Sequence, residues 1–361
     1  MKLHYFTFPA HRNSGSSTAS STRALCYFLS RTTTSTTKNQ EMSILRYPGG
    51  KSRAVSILEQ YVPKDCKEIC SPFLGGVSLE LFLAQERKIQ VYGFDLFAPL
   101  VNFWQCLRSH QTRVCDQVSE MYRSKVDKPR FFALRQELVT AFSPTLDSSS
   151  KTNNNDSVST QSVHQNDKDK NTSQEKAAAE QTTNIRLAAI FFVLNRCSFS
   201  GTTCSGGFSL ESSTHRFTES CIQRLRNVNL VNLHIGGCLD VAESIATQPK
   251  DRLLYLDPPY YLTKAKSKLY GMEGRLHIGF DHQNLFDLLR HRPNWILSYN
   301  NCDFIRTLYK DFYIADKDWS YGMSSNSKKR KRSKETKTKT SKEIIILSLD
   351  LAVRKQEEQD G

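Results

Sequence analysis

No run of apolar residues in this chain approaches the ~18 that a membrane-crossing helix needs, so no membrane partner is expected. No CxxC pair occurs among its ten cysteines, and the closest two, Cys66 and Cys70, have no histidine at a zinc-finger spacing, so no metal is assigned. The thiols read as reduced, which points to an intracellular protein. A GxxxxGK[ST] phosphate loop is missing, which argues against ATP hydrolysis. No internal repeat is visible. Acidic residues are absent from residues 1–40, which hold fifteen Ser or Thr and five Lys or Arg. That composition resembles an organellar transit peptide or an ordinary disordered extension, and Met42 stands as an alternative start just before the first patterned residues. Phe, Trp and Tyr are absent from 144–183, a stretch rich in Ser, Thr, Asn, Gln and Asp that offers too little apolar surface to fold.

Positive charge, by contrast, is plentiful. Across 361 residues, 50 Lys and Arg stand against 36 Asp and Glu, a net charge of +14, which suits a polyanionic partner, nucleic acid first among them. Half of that excess sits between Ser324 and Glu343, around Lys328-Lys329-Arg330-Lys331-Arg332. The run reads as a loop between two strands, and as a nuclear import signal or a phosphate-binding arm. A nuclear location then competes with the organelle (mitochondrion or plastid) suggested by residues 1–40. The chain divides into an extension (1–41), a patterned part (42–142), a disordered insertion (143–183), a shorter patterned region (184–227), a further patterned part (228–350, with a basic loop at 324–342) and a tail (351–361).

Strand patterns near 67–70, 90–95, 228–235, 252–256, 294–300, 311–315 and 343–349 are separated by helical patterns at 51–60, 76–87, 98–109, 129–141, 184–194, 240–246, 281–291 and 302–309. Strands separated by helices predict an α/β protein with a mainly parallel, doubly wound sheet, whose ligands sit beyond the carboxyl ends of the strands.

Four segments carry chemistry, three of them at such ends. Pro72-Phe73-Leu74-Gly75-Gly76 follows a strand and opens a helix, so its glycines let the backbone approach a ligand. Asp95 ends the next strand about twenty residues on, where a nucleotide-binding sheet places the acid that accepts ribose hydroxyls; a helix N-cap is the other reading. Upstream, Tyr47-Pro48-Gly49-Gly50-Lys51 sets a ring and an ammonium beside a tight turn. Most specific is Asp257-Pro258-Pro259-Tyr260 after the apolar strand Leu253–Leu256. Two prolines stiffen the loop and remove donors, leaving a carboxylate and carbonyls as acceptors. Such acceptors, Asp257 and the Pro258 carbonyl, would draw the lone pair of an exocyclic amine out of conjugation and aim it at an electrophilic methyl. Tyr260 would stack on the base.

In this order the segments resemble the Dam-like, D12-class N6-adenine DNA methyltransferases, over about residues 44–142 and 184–349. The resemblance implies a Rossmann-like class I S-adenosylmethionine-dependent methyltransferase fold in which 42–142 is the cofactor-binding part, 184–227 a smaller inserted target-recognition region and 228–350 the catalytic part. A monomer or weak dimer on DNA is expected. It implies S-adenosylmethionine contacts from Tyr47, Gly49, Gly50, Lys51, Pro72, Phe73, Gly75, Gly76, Asp95 and Asp257, and a target adenine held by Asp257, Pro258, Pro259 and Tyr260. Ser71 and Val77 stand where members often carry Glu and a third small residue. For DNA contact it points to Asn195, Arg196, Phe199 and Gly201, to which the interleaved Thr214-His215-Arg216-Phe217 adds Arg216. Phe191 and Phe192 read as core. Tyr270-Gly271, His277 and Phe280-Asp281-His282 lie at a distance suited to a flap over the base. N4-cytosine or RNA adenine methylation, or a catalytically silent DNA-binding protein derived from a methylase, are the alternatives.

Overall fold

The computed structural model describes residues 44–143, 167–261, 279–319 and 341–360, all within one compact unit, Ser35–Gly361. The amino-terminal extension, residues 144–166, Tyr270, Gly271, His277 and the Lys328–Arg332 cluster lie outside the described residues.

The architecture is mixed α/β, with helices on both faces of a seven-stranded sheet. Strands β1 (Glu68–Ser71), β2 (Gln90–Phe94), β3 (Leu233–Gly237), β4 (Leu253–Leu256) and β5 (Trp295–Asn300) run parallel. A final strand β7 (Ser341–Leu347) enters antiparallel between β5 and β6 (Tyr313–Trp319), giving the order β3-β2-β1-β4-β5-β7-β6. Strand β4 and the runs Trp295-Ile296-Leu297 of β5 and Ile344-Ile345-Ile346-Leu347 of β7 are apolar and buried because both faces of the inner sheet are covered. Ile69, Leu253, Tyr255, Ile296 and Ile345 point to one core, and Cys70, Leu254, Leu256, Leu297 and Ile346 to the other, with the period of two that a pleated strand imposes.

On the first face lie α1 (Val55–Leu58), α2 (Ser78–Glu86), α3 (Ala98–Arg123), α4 (Lys128–Phe142), α5 (Asp167–Cys197), α6 (Leu210–His215) and α7 (Glu219–Asn227). Phe103 of α3 packs its ring 5.5 Å from Phe191 and 6.1 Å from Phe192 of α5, all three fully buried, so the two phenylalanines are core as the pattern predicts. The other face is covered by α8 (Val241–Ala246), α9 (His282–Leu289) and α10 (Asp303–Leu308), through Ile245, Leu285, Leu289 and Ile305. A last helix, α11 (Leu349–Asp360), follows β7.

Several boundaries differ from the sequence expectation. Helix α3 continues past 109 to Arg123, with a break at His110 (φ −138°, ψ 39°) where the expected pattern ends. Helix α5 starts at Asp167, inside the stretch read as unable to fold; its exposed residues 176–183 include Ala177-Ala178-Ala179, strong helix formers that extend a helix already nucleated by the buried segment Ile185–Cys197. The expected tail at 351–361 is largely α11, anchored by the fully buried Leu351. Helices α6 and α7 fill the region 210–227, for which no element was expected.

The order reverses at β1, which has β2 on one side and β4 on the other. Connections leaving β1 and β4 therefore part, and a crevice opens beyond their carboxyl ends.

Candidate active site

The wall of that crevice nearest β1 is the turn into α2. Gly75 (φ +50°) and Val77 (φ +50°) are both left-handed, and Val77 is the N-cap of α2, receiving the Leu81 N–H on its carbonyl at 3.0 Å. Tyr47 lies against this turn. A Cβ at Gly76 would stand 2.8 Å from Tyr47 Cβ, and one at Gly75 3.1 Å from its ring, so the ring and the glycine pair require each other. Tyr47 itself begins a turn closed by Gly50 N–H donating to its carbonyl at 2.9 Å, with Gly49 left-handed at φ +73°.

Asp95, past the end of β2, ties the turn down. Its Oδ2 accepts the Gly75 N–H at 3.0 Å and its Oδ1 the Phe97 N–H at 2.9 Å, while Trp104 donates to the Gly75 carbonyl at 3.2 Å. Burial raises the Asp95 pKa against the lowering effect of these amides. A second carboxylate lies close by, one that sequence reasoning missed. Glu80, on the first turn of α2, is buried and accepts the Ser71 hydroxyl at 2.7 Å, and burial pushes its carboxyl up to about 7.

Beyond β4, the loop Asp257–Tyr260 meets three other segments. Lys51 Nζ donates to both Asp257 oxygens at 2.7 Å and to the Gly49 carbonyl at 3.1 Å. Ser298 of β5 donates to Asp257 Oδ1 at 2.8 Å, and Asn300 holds the Tyr261 carbonyl at 3.0 Å. The Tyr260 hydroxyl donates to Glu343 Oε2 of β7 at 2.5 Å, and the Lys51 ammonium stands 4.0 Å from that oxygen and 4.9 Å from the Tyr260 ring centre. Burial, then the charges of Asp257 and Glu343, raise the Tyr260 pKa well above the ordinary phenol value, so it stays a neutral donor. Ser298 and Glu343 carried no sequence signal, since each simply adjoins an apolar run, Trp295-Ile296-Leu297 or Ile344-Ile345-Ile346-Leu347.

These pieces enclose one cavity of about 360 Å³. All ten residues expected at the cofactor line it, Tyr47, Gly49, Gly50, Lys51, Pro72, Phe73, Gly75, Gly76, Asp95 and Asp257, together with Pro259. The segment after β3 (Leu239–Ala242) and the start of α9 close the far side, where Phe280 meets Phe73 edge to face at 5.5 Å. Of the expected flap, Phe280 and Asp281 thus line the cavity, and His282 pairs through Nδ1 with the Tyr299 hydroxyl at 2.7 Å. Among the described residues, no group of three or more His, Cys, Asp or Glu is placed to hold a metal ion.

The residues expected to contact DNA fall into a buried group and an exposed group. Asn195 is fully buried: its Oδ1 accepts the Arg46 N–H at 2.9 Å, and its Nδ2 donates to the carbonyls of Arg46 (2.9 Å) and Gly201 (3.0 Å) and to Thr203 Oγ1 (3.1 Å). Arg196 is 5 % exposed, donates to the Ile44 carbonyl and lies 5.2 Å over the Phe192 ring. Both side chains are buried and clamp the 44–47 segment to α5, and Asn195 also ties it to the loop after that helix. Gly201 (φ +72°) is part of the same clamp, since a Cβ there would lie 2.0 Å from the Arg46 carbonyl. Phe199 and Arg216 are exposed. Arg46, which was not singled out, donates to the Ser198 carbonyl at 3.3 Å and Ser212 Oγ at 3.0 Å; burial and then Arg216 lower its pKa.

Compared with known proteins, residues 47–323, about three quarters of the chain, match the model of a family described as D12 class N6 adenine-specific DNA methyltransferase. No curated protein matches the sequence.

Proposed function

The chain belongs to the D12-class N6-adenine-specific DNA methyltransferases, and on that premise we propose that it moves a methyl group from S-adenosylmethionine to N6 of an adenine swung out of DNA. The parallel strands in the order β3-β2-β1-β4-β5, with β7 antiparallel beside β5, support a Rossmann-like class I methyltransferase fold, with 184–227 as its inserted recognition region.

The cavity fits the cofactor. Its volume is in the range of small-molecule sites, Leu96, Phe97, Leu239 and Phe280 supply apolar wall for an aromatic base, and Asp95 and Glu80 supply carboxylates for hydroxyl and ammonium groups. Gly75 and Gly76 leave space that a Cβ would close against Tyr47. Tyr47, Gly49, Gly50, Pro72, Phe73 and Asp95 would hold the cofactor, with Lys51 at the junction with the target base. S-adenosylmethionine, when bound, supplies an electrophilic methyl on a sulfonium and departs as a neutral thioether.

Residues of the chain do the rest. The N6 lone pair of adenine is delocalised into the ring and is a poor nucleophile. Asp257 and the Pro258 carbonyl accept the two N6 protons, which concentrates that lone pair on nitrogen and aims it at the cavity. Ser298, on Asp257 Oδ1, fixes the plane of the carboxylate. As the new C–N bond forms, one N6 proton passes to Asp257 and from there to solvent. Tyr260 stacks on the base, which has to leave the duplex for its amine to be reached.

The observation that carries this reading is the Asp257 carboxylate, set rigidly at the carboxyl end of β4 on the wall of a cavity that suits the cofactor. Incubation with labelled S-adenosylmethionine and DNA, followed by nucleoside mass spectrometry, should give N6-methyladenine. Asp257→Ala should cut the rate by at least ~10²-fold. Product confined to N4-methylcytosine, or to RNA, would overturn the proposal.

A further inference from the structure

Glu343 lies twenty residues past the end of the family match, where β7 passes from Ser341-Lys342 into the apolar run Ile344-Ile345-Ile346-Leu347. Its side chain is fully buried, opposite Asn300 of β5 and Lys317 of β6 in the sheet register. Burying a carboxylate costs several kcal/mol unless charges or donors meet it, so a glutamate in this strand is retained by its partners. Two of them are residues of the reaction centre, the Tyr260 hydroxyl at 2.5 Å and the Lys51 ammonium at 4.0 Å.

We propose that Glu343 is a positioning residue for methyl transfer: it fixes Tyr260 by its hydroxyl and offers Lys51 a second carboxylate when Asp257 turns to the target amine. The inference rests on the methyl-transfer reading of Asp257. In the described state Lys51 donates to both Asp257 oxygens and Ser298 to one of them, so an amine that donates to Asp257 competes with this ammonium for the carboxylate. An ammonium leaving Asp257 must keep a counter-charge, since it is itself 5 % exposed. Closing the gap to Glu343 Oε2 takes a movement of about 1 Å to reach hydrogen-bond distance. The same carboxylate, by holding the phenol, sets the plane of the ring on which the base would stack, and the ammonium over that ring moves with it.

Two readouts test this. Protein carrying 13Cζ-labelled tyrosine, with the Tyr260 signal assigned by its loss in Tyr260→Phe, should show that signal displaced in Glu343→Gln, which keeps an oxygen acceptor but loses the charge. In single-turnover assays at saturating DNA and cofactor, Glu343→Gln should be slower by about tenfold or more, with cofactor affinity changed less than about threefold. Combining it with Tyr260→Phe should cost less than the product of the two single effects. Glu343→Asp, which keeps the charge and retracts it by one methylene, serves for the same readouts if the glutamine variant does not fold. An unmoved Tyr260 signal in folded protein, or wild-type turnover, overturns the proposal. The tyrosine signal is read without turnover, so a displaced signal in a protein that never methylates adenine would remove the methyl-transfer reading alone.

Discussion

Glu80 accepts the Ser71 hydroxyl at 2.7 Å, so the end of β1 and the first turn of α2 share one buried hydrogen bond directly beneath the cavity. Ser71 stands where similar proteins often carry a glutamate, and here the carboxylate arrives from the helix nine residues later. The serine therefore does not leave this end of the cavity without an acid.

The burial of Glu80 should show in the pH dependence of stability. Its folded carboxyl titrates at about 7, raised from 4.5, so the native state binds this proton more tightly than the unfolded chain does. The contribution is fully present below about 4.5 and is lost as pH rises through about 7. Linkage caps the effect at about 3 kcal/mol. Glu80→Gln should remove the slope and be more stable than wild type at pH 8 by up to that amount. Urea unfolding at pH 5 and pH 8 checks this, and an unchanged slope in the variant would refute it.

Lys51 lies between Asp257 and Glu343, and both carboxylates depend on it for compensation. Lys51→Met keeps the stem and removes the charge. It should destabilise the protein by about 3–5 kcal/mol, the cost of breaking a buried pair from one side, as read from equilibrium unfolding. A loss below 1 kcal/mol would mean that water already screens these groups.

Crowding between Tyr47 and the glycine turn gives a third expectation. Gly76→Ala brings a Cβ 2.8 Å from Tyr47 Cβ and should cost about 1–3 kcal/mol by overpacking, with weaker S-adenosylmethionine binding in calorimetry. Adding Tyr47→Ala should recover most of the stability while leaving binding weak, because the two positions share one contact.

These cases show what was legible in the sequence. The inner strands could be found because burial on both faces gives them apolar runs such as Leu253–Leu256, and the cofactor segments because glycines, proline and an acid occur beside strand ends or a helix start. Glu80, Ser298 and Glu343 were not legible: each meets its partner only through the fold, Glu343 across 83 residues to Tyr260. Asn195 and Arg196, expected at DNA, lie buried in this structure, and that placement was not legible for the opposite reason. An amide and a guanidinium suit a base edge and a buried carbonyl equally well, and only burial distinguishes the two uses. Helix α11 escaped notice because Leu351 is its one fully buried anchor in a polar segment.

The same distinction separates two neighbouring variants. Asn195→Ala deletes four hydrogen bonds in a fully buried clamp and leaves the Arg46 and Gly201 carbonyls without that partner, so it should destabilise the protein by about 2–4 kcal/mol. Arg216 is exposed, and Arg216→Ala should leave stability within about 0.5 kcal/mol. If Arg216 contacts a DNA phosphate, its removal should also lower the slope of log affinity against log salt by about 1. Thermal melting, with DNA binding measured at several salt concentrations, separates the two. Asn195→Ala that melts like wild type yet alters the salt slope would return Asn195 to the DNA surface and undo the clamp.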